Sequence, residues 1–134
     1  MPLIRIDVIE GRTDGELSAI SDAVHHALVG CFGVSERDRF QVITERRAGR
    51  LVYDPTFLEV SRTDAIVVVQ VFCSMGRSVE QKQKFYALVA AGIAERTTTR
   101  AEEVLITLVE NTRGDWSFGN GVAQYLTLPK EAWR

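Results

Sequence analysis

Cysteine is nearly absent from this chain: Cys31 and Cys73 are the only two among 134 residues, with no CxxC pair and no histidine at metal-ligand spacing. That scarcity excludes a disulfide framework and a zinc motif, and fits ordinary buried thiols in a reducing compartment. An excess of positive charge is also missing. Sixteen Lys and Arg stand against eighteen Asp and Glu, a formal charge of −2, so no overall basic field is available to hold a nucleic acid or an anionic membrane. The longest apolar stretch that can be helical, Ala87 to Ala94, is far below the roughly 20 residues a bilayer requires. Arg5, Asp7 and Glu10 interrupt the apolar positions of Met1 to Glu10, unlike a signal core or an acid-free transit peptide, and the expected location is the cytoplasm. What is present is 46% hydrophobic and 25% charged residues, the composition of a folded protein with a real core, at the length of one domain spanning 1–134.

The pattern reads as one unit written twice. Leu3 to Ile9 and Ala65 to Phe72 are strand candidates rich in β-branched residues. Each precedes a helix start of the form Ser/Thr-x-x-Glu/Gln, Thr13-Asp14-Gly15-Glu16 and Ser78-Val79-Glu80-Gln81, in which hydroxyl and carboxyl or carboxamide satisfy orphan amides reciprocally. Leu17, Ile20, Val24, Ala27, Leu28 and Cys31 then fall on one helical face, as do Phe85, Leu88, Val89, Gly92 and Ile93. Further strands are expected over Arg39 to Thr44 and Val104 to Val109. Thr13 and Ser78 are 65 residues apart, Phe40 and Val104 are 64 apart, and so small a drift supports a duplication. The expected architecture is α/β (α+β): two fused β-α-β units, 2–45 and 65–110, forming a four-stranded sheet with two helices on one face. A connector, 46–64, with an apolar patch at Leu51-Val52-Tyr53 suited to a hairpin or edge strand, joins them, and a C-terminal segment, 111–134, follows. Ala65 to Phe72 is apolar at nearly every position, as in strands buried on both faces. The face without helices therefore needs a cover, and identical subunits in a closed homo-oligomer are the simplest one.

A family resemblance enters at Met1-Pro2-Leu3-Ile4-Arg5-Ile6-Asp7-Val8-Ile9-Glu10-Gly11-Arg12, which resembles the start of tautomerase superfamily proteins. These β-α-β proteins lose the initiator Met to expose a catalytic N-terminal proline. Glu10-Gly11-Arg12-Thr13-Asp14, Glu36-Arg37-Asp38-Arg39-Phe40, Glu80-Gln81-Lys82 with Phe85-Tyr86, and Asp115-Trp116-Ser117-Phe118-Gly119 are most similar to the malonate semialdehyde decarboxylase branch. The match spans nearly the whole chain. It implies a homotrimer, a small carboxylic acid as substrate, no cofactor or metal, and Pro2, Asp38 and Arg77 as catalytic residues.

Each residue has a physical reading beside the resemblance. As first residue Pro2 is a rigid secondary amine, with a reference pKa of about 7.7–8.0 for an α-amino group; an apolar pocket favours its neutral, basic form and a carboxylate its cation. On the Met-Pro dipeptide alone, a proline without function is the favoured reading. Asp38 matches the family carboxylate, able to hold Pro2 cationic or orient a water, while a solvated turn residue paired with neighbouring arginines is the bland alternative. Arg77 stands between Gly76 and the capping Ser78, where free amides and a guanidinium can grip a carboxylate in two parallel bonds; a solvent-facing arginine is an even alternative. Relatives carry two arginines before this helix, and the first falls on Met75. Phe72, Trp116, Phe118 and Tyr125 are candidates for an apolar, substrate-binding wall or for subunit packing.

His25 and His26 point about 100° apart on their helix and read as surface residues, unable to share a metal. Arg46, Arg47 and Arg50 read as a solvated basic patch. The leading expectation is a decarboxylase of a three-carbon β-oxo acid with hydration of an acetylenic or unsaturated acid as a side reaction. Its rivals are a keto–enol tautomerase or isomerase using neutral Pro2 as base, and a non-catalytic trimer that binds a small acid.

Overall fold

Alternation of apolar and polar side chains at period two, interrupted by capped helices, produces the observed order β1 (Leu3–Ile9), α1 (Asp14–Phe32), β2 (Phe40–Arg46), β3 (Val67–Ser74), α2 (Val79–Arg96), β4 (Val104–Asn111) and a short α3 (Gln124–Thr127). The computed structural model describes residues 2–133. The strands form one sheet in the order β2-β1-β3-β4. Within each β-α-β unit the strands are parallel, Leu3 opposite Phe40 and Val67 opposite Val104. The two units join through antiparallel β1 and β3, with Leu3 opposite Phe72. This is the four-stranded, two-helix architecture of the sequence reading.

Ile4, Ile6 and Val8 of β1 and Val67, Val69 and Val71 of β3 pack with Ile20, Val24 and Leu28 of α1 and Phe85, Val89 and Ile93 of α2. Burial of each such side chain is worth roughly 1.5–3 kcal/mol, enough to fix strand register, since a one-residue slip turns every one of them outward. The opposite face is less covered within one chain and mixed in character, with Leu3, Phe40, Phe72 and Val109 at one end and Arg5, Gln70 and Thr107 across its middle. Phe72 is half-buried, while Phe40 and Val109 keep 48% and 42% of their surface exposed. No helix among the described residues is long and apolar enough to cross a membrane.

Several local expectations are corrected. β3 starts at Val67, two residues later than expected, because Ile66 N–H closes a turn onto Thr63 O at 3.1 Å and the Ala65 carbonyl accepts from the Arg12 guanidinium. It runs on to Ser74 because β4 continues beside it to Asn111. β2 starts one residue late, at Phe40, and extends to Arg46 opposite Ile9. The capping box is complete only at α2, between Ser78 and Gln81; at α1 Thr13 accepts from Glu16 N–H, while the Glu16 carboxylate sits in the field of Arg12. Leu88 is 42% exposed, outside the helix–sheet core. Leu51-Val52-Tyr53 forms no strand, and Val52 is almost wholly exposed; the connector's only helical element is a single 3-10 turn at Phe57–Glu59. Cys31 is half-buried, and only Cys73 is fully enclosed. His25, read as a surface residue, is buried, with Nε2 3.0 Å from the Glu36 carbonyl oxygen; His26 is exposed.

Glu103 ends the connector's return to the sheet. It is 1% exposed, accepts from Thr63 N–H at 2.7 Å and from the Thr63 hydroxyl, and lies 3.6 Å from Arg100 Nη2. Glu103→Ala strands both Thr63 donors, so urea unfolding is expected to show a loss of about 2–4 kcal/mol.

Candidate active site

The antiparallel pairing of β1 and β3 brings the chain's first described residues beside the end of β3. Pro2 is buried, and its neighbour Leu3 lies between Phe40 and Phe72. Met1 lies outside the described residues. Beyond Ser74, Met75 N–H bonds Asn111 O at 2.8 Å and Gly76 adopts φ 120°, a conformation costly for residues with a Cβ, which turns the chain into Arg77 and the cap of α2. Arg77 Nη1 donates to the Ser74 carbonyl at 2.5 Å, and the guanidinium lies 5.0 Å over the Phe32 ring. A carbonyl and an aromatic face thus orient this half-buried cation at the Pro2 end of the sheet. Met75, where relatives carry the other arginine, is 61% exposed.

Asp38 is presented by the loop between α1 and β2. Asp38 N–H closes a turn onto Ser35 O at 3.0 Å, and Arg37 N–H bonds Ser35 Oγ at 3.3 Å. Arg39, one of the neighbours in the alternative reading of Asp38, reaches Asp22 at 2.6 Å and Ser21 at 2.8 Å. Asp38 Oδ2 receives the Tyr125 hydroxyl at 3.4 Å. Burial holds the Tyr125 phenol well above the usual tyrosine range, the Asp38 charge and hydrogen bond add to that, and Arg77 acts in the opposite direction.

An aromatic wall surrounds this pair. Trp116 and Phe118 stack with centroids 5.6 Å apart, Phe118 meets Tyr125 at 4.8 Å, and Phe40 meets Phe118 at 5.8 Å. Trp116 Nε1 donates to Asn111 Oδ1 at 2.8 Å, and Gln124 fastens the excursion by accepting from Phe118 N–H at 2.8 Å and donating to Gly119 O at 2.9 Å. The cleft beside them has a volume of about 270 Å³ and opens to solvent; it is lined by Asp38, Tyr125 and Phe118 together with Phe40, Arg37 and Trp133. A space of that size suits a ligand of a few heavy atoms.

Of the expected site residues, Asp38, Phe118 and Tyr125 line the cavity and Trp116 stacks behind Phe118, while Pro2 and Arg77 are not among its lining residues. Phe72 is not among the lining residues and sits on the uncovered sheet face between Leu3 and Val109. Phe40 and Trp133 were not anticipated. Phe40 shares the Leu3 pair position at the first residue of β2, a signal available from period two, whereas Trp133 meets Tyr125 at 4.7 Å from a chain end without periodicity. Among the described residues no group of three or more His, Cys, Asp or Glu is placed to hold a metal ion.

Paired β-α-β units joined into one four-stranded mixed sheet with two main helices match the tautomerase fold. Models of two tautomerase enzyme families match residues 38–119 and 2–60. The chain is 39% identical to the probable tautomerase YrdN of Bacillus subtilis over 95% of its own length and 98% of that protein, and 36% identical to the probable tautomerase YusQ of the same organism over 94% and 99%. Crystal structures of wild-type, mutant and inactivated malonate semialdehyde decarboxylase superpose with a TM-score of 0.88 at 38% identity, covering 93% of this chain and 96% of that one. A fused 4-OT solved as a symmetric trimer shares the fold at 21% identity and a TM-score of 0.74, over 90% of this chain and 94% of that one. The chain belongs to the tautomerase family.

Proposed function

We propose that this chain is a cofactor-independent decarboxylase of a small β-oxo acid, converting malonate semialdehyde to acetaldehyde and carbon dioxide. The observation that carries the reading is the Asp38 carboxylate, met by the Tyr125 hydroxyl in a small aromatic-walled cavity, with Arg77 held by the Ser74 carbonyl at the Pro2 end of the sheet. The similarity to malonate semialdehyde decarboxylase supports it.

Arg77 grips the substrate carboxylate and sets the breaking carbon–carbon bond perpendicular to the aldehyde plane. The bond's electron pair moves into the aldehyde as carbon dioxide leaves, and cationic Pro2 stabilises the oxygen where that charge develops. The resulting enolate, its oxygen held by the Pro2 ammonium, takes up one proton at carbon to give acetaldehyde. Asp38 keeps Pro2 cationic by its opposite charge, and can orient a water, which accounts for promiscuous hydration of unsaturated acids. Trp116, Phe118 and Tyr125 exclude water from the departing carboxylate. The uncovered face of the sheet, with Phe40, Val42, Leu105 and Val109 exposed, is the contact surface of a homotrimer in the cytoplasm.

Incubation of purified protein with malonate semialdehyde, with acetaldehyde and carbon dioxide both quantified, tests the reading. Acetaldehyde formation above the uncatalysed rate supports it; turnover of keto–enol substrates alone rejects it. The naming of both Bacillus relatives as probable tautomerases favours a second reading, in which neutral Pro2 abstracts the proton. Titration of the Pro2 nitrogen separates the two: a value below neutrality selects the base, one above it the cation.

A further inference from the structure

We infer that His25 is a positioning residue for Asp38, acting through the backbone of the loop between α1 and β2; the inference rests on the assignment of Asp38 to the reaction. His25 is 5% exposed on α1, and its Nε2 lies 3.0 Å from the Glu36 carbonyl oxygen, two residues before Asp38. A carbonyl only accepts, so Nε2 carries the hydrogen. The other ring nitrogen, Nδ1, is buried without a hydrogen-bond partner. The imidazole's one polar commitment is therefore to the turn that presents the carboxylate.

Across from His25, the turn is met at Asp38 by the Tyr125 hydroxyl at 3.4 Å. Gly33, in the left-handed region at φ 64°, ends α1, and no regular element begins until Phe40. Ser35 O and Oγ close the turn from within, and neither bond ties it to the rest of the protein. On the far side of Asp38, Arg39 is tethered to Asp22 and Ser21 of the same helix, but the side chains of Arg39 and Asp22 are 38% and 47% exposed, where an ion pair restrains little. The His25 ring itself is 5% exposed, so water competes for its bond to Glu36 less than at the open Arg39–Asp22 pair. Deleting it frees the Glu36 carbonyl to turn toward solvent and lets the Ser35–Asp38 turn rotate. Asp38 then loses its place relative to Tyr125 and Pro2, while Arg77, held by Ser74 and Phe32, keeps its own.

Hence His25→Leu, which keeps volume and deletes the donor, should lower kcat for malonate semialdehyde about tenfold to a hundredfold, with KM changed by less than about threefold because the carboxylate clamp is intact. His25→Gln, whose amide can reach the same carbonyl, should recover most of the loss. In an Asp38→Asn background, the same His25→Leu change should have no further effect on kcat. Amide hydrogen exchange provides a readout apart from turnover: the Asp38 N–H, bonded to Ser35 O, should exchange about tenfold faster in His25→Leu than in the parent, with α2 unaffected. Equal losses in kcat from Leu and Gln, or unchanged Asp38 exchange, would overturn the inference. A parent protein that fails to turn over malonate semialdehyde, together with faster Asp38 exchange in His25→Leu, rejects the decarboxylase reading and leaves the positioning role standing.

Discussion

Pro2→Ala is expected to lower kcat/KM for malonate semialdehyde by about 10²–10⁴, the range spanned by a positioned proton donor or acceptor. The variant keeps an amine at the chain start, so the loss measures placement and not the mere presence of a basic nitrogen. A pyrrolidine ring fixes φ near −65°, and Pro2 is buried immediately before β1, whose register is locked by Phe40 on one side and Phe72 on the other. An alanine amine swings about a free bond and spends little time facing the substrate oxygen. Removal of Met1 is a precondition, because an acylated proline is a tertiary amide without a basic lone pair; intact-mass analysis of parent and variant therefore accompanies the kinetics. The pH profile supplies the sign. If the cation is required, kcat/KM is full below the Pro2 pKa and falls as pH rises through it; the tautomerase reading demands the reverse. An unchanged rate in a variant with the correct amino terminus removes Pro2 from the chemistry.

The next largest effect is expected at Arg77. Arg77→Ala removes a charge-assisted grip on the substrate carboxylate, worth about 1.5–3 kcal/mol for a hydrogen bond to a charged group, which corresponds to roughly tenfold to 150-fold in kcat/KM. The loss should appear first in KM, since the carboxylate carries its full charge in the bound ground state and gives it up as carbon dioxide forms, with a smaller loss in kcat from the bond angle it sets. Lysine should recover only part of it, because a point charge cannot make two parallel bonds. The Ser74 carbonyl and the Phe32 ring also lose a partner, so melting should shift by the equivalent of about 1 kcal/mol. A stability loss with unaltered KM would assign Arg77 to the fold alone. Met75 stands exposed where relatives have their other arginine, and provides no cation to compensate.

Both expectations join residues far apart in sequence, and their legibility differs. Pro2 and Arg77 could be read in place, one from the amino terminus and one from the turn preceding a capped helix. The sheet, too, was readable: β-branched runs and the two cap motifs mark β1, α1, β3 and α2, because those signals are local and recur at nearly constant spacing. His25 was misread because a histidine beside a second histidine looks solvated until the loop that buries it is in place. Leu88 was misread for the opposite reason, as periodicity assigns a helical face but not how far the neighbouring element extends over it. Phe72 and Phe40 flank Leu3 on the same sheet face, yet only Phe40 touches Phe118 and lines the cavity, a distinction set by where the C-terminal segment crosses.

By itself, then, the sequence determined the two β-α-β units, the membership implied by their motifs, and the residue types available for acid and cation chemistry. Tertiary structure alone decided which of those residues meet. The antiparallel junction of β1 with β3 carries Pro2 to the end where Arg77 turns back, and the excursion from Trp116 to Tyr125 closes over Asp38. Periodicity and capping act over one or two helical turns, whereas the cavity is assembled by contacts among residues 38, 118 and 125, whose proximity depends on packing free energy summed over the whole core.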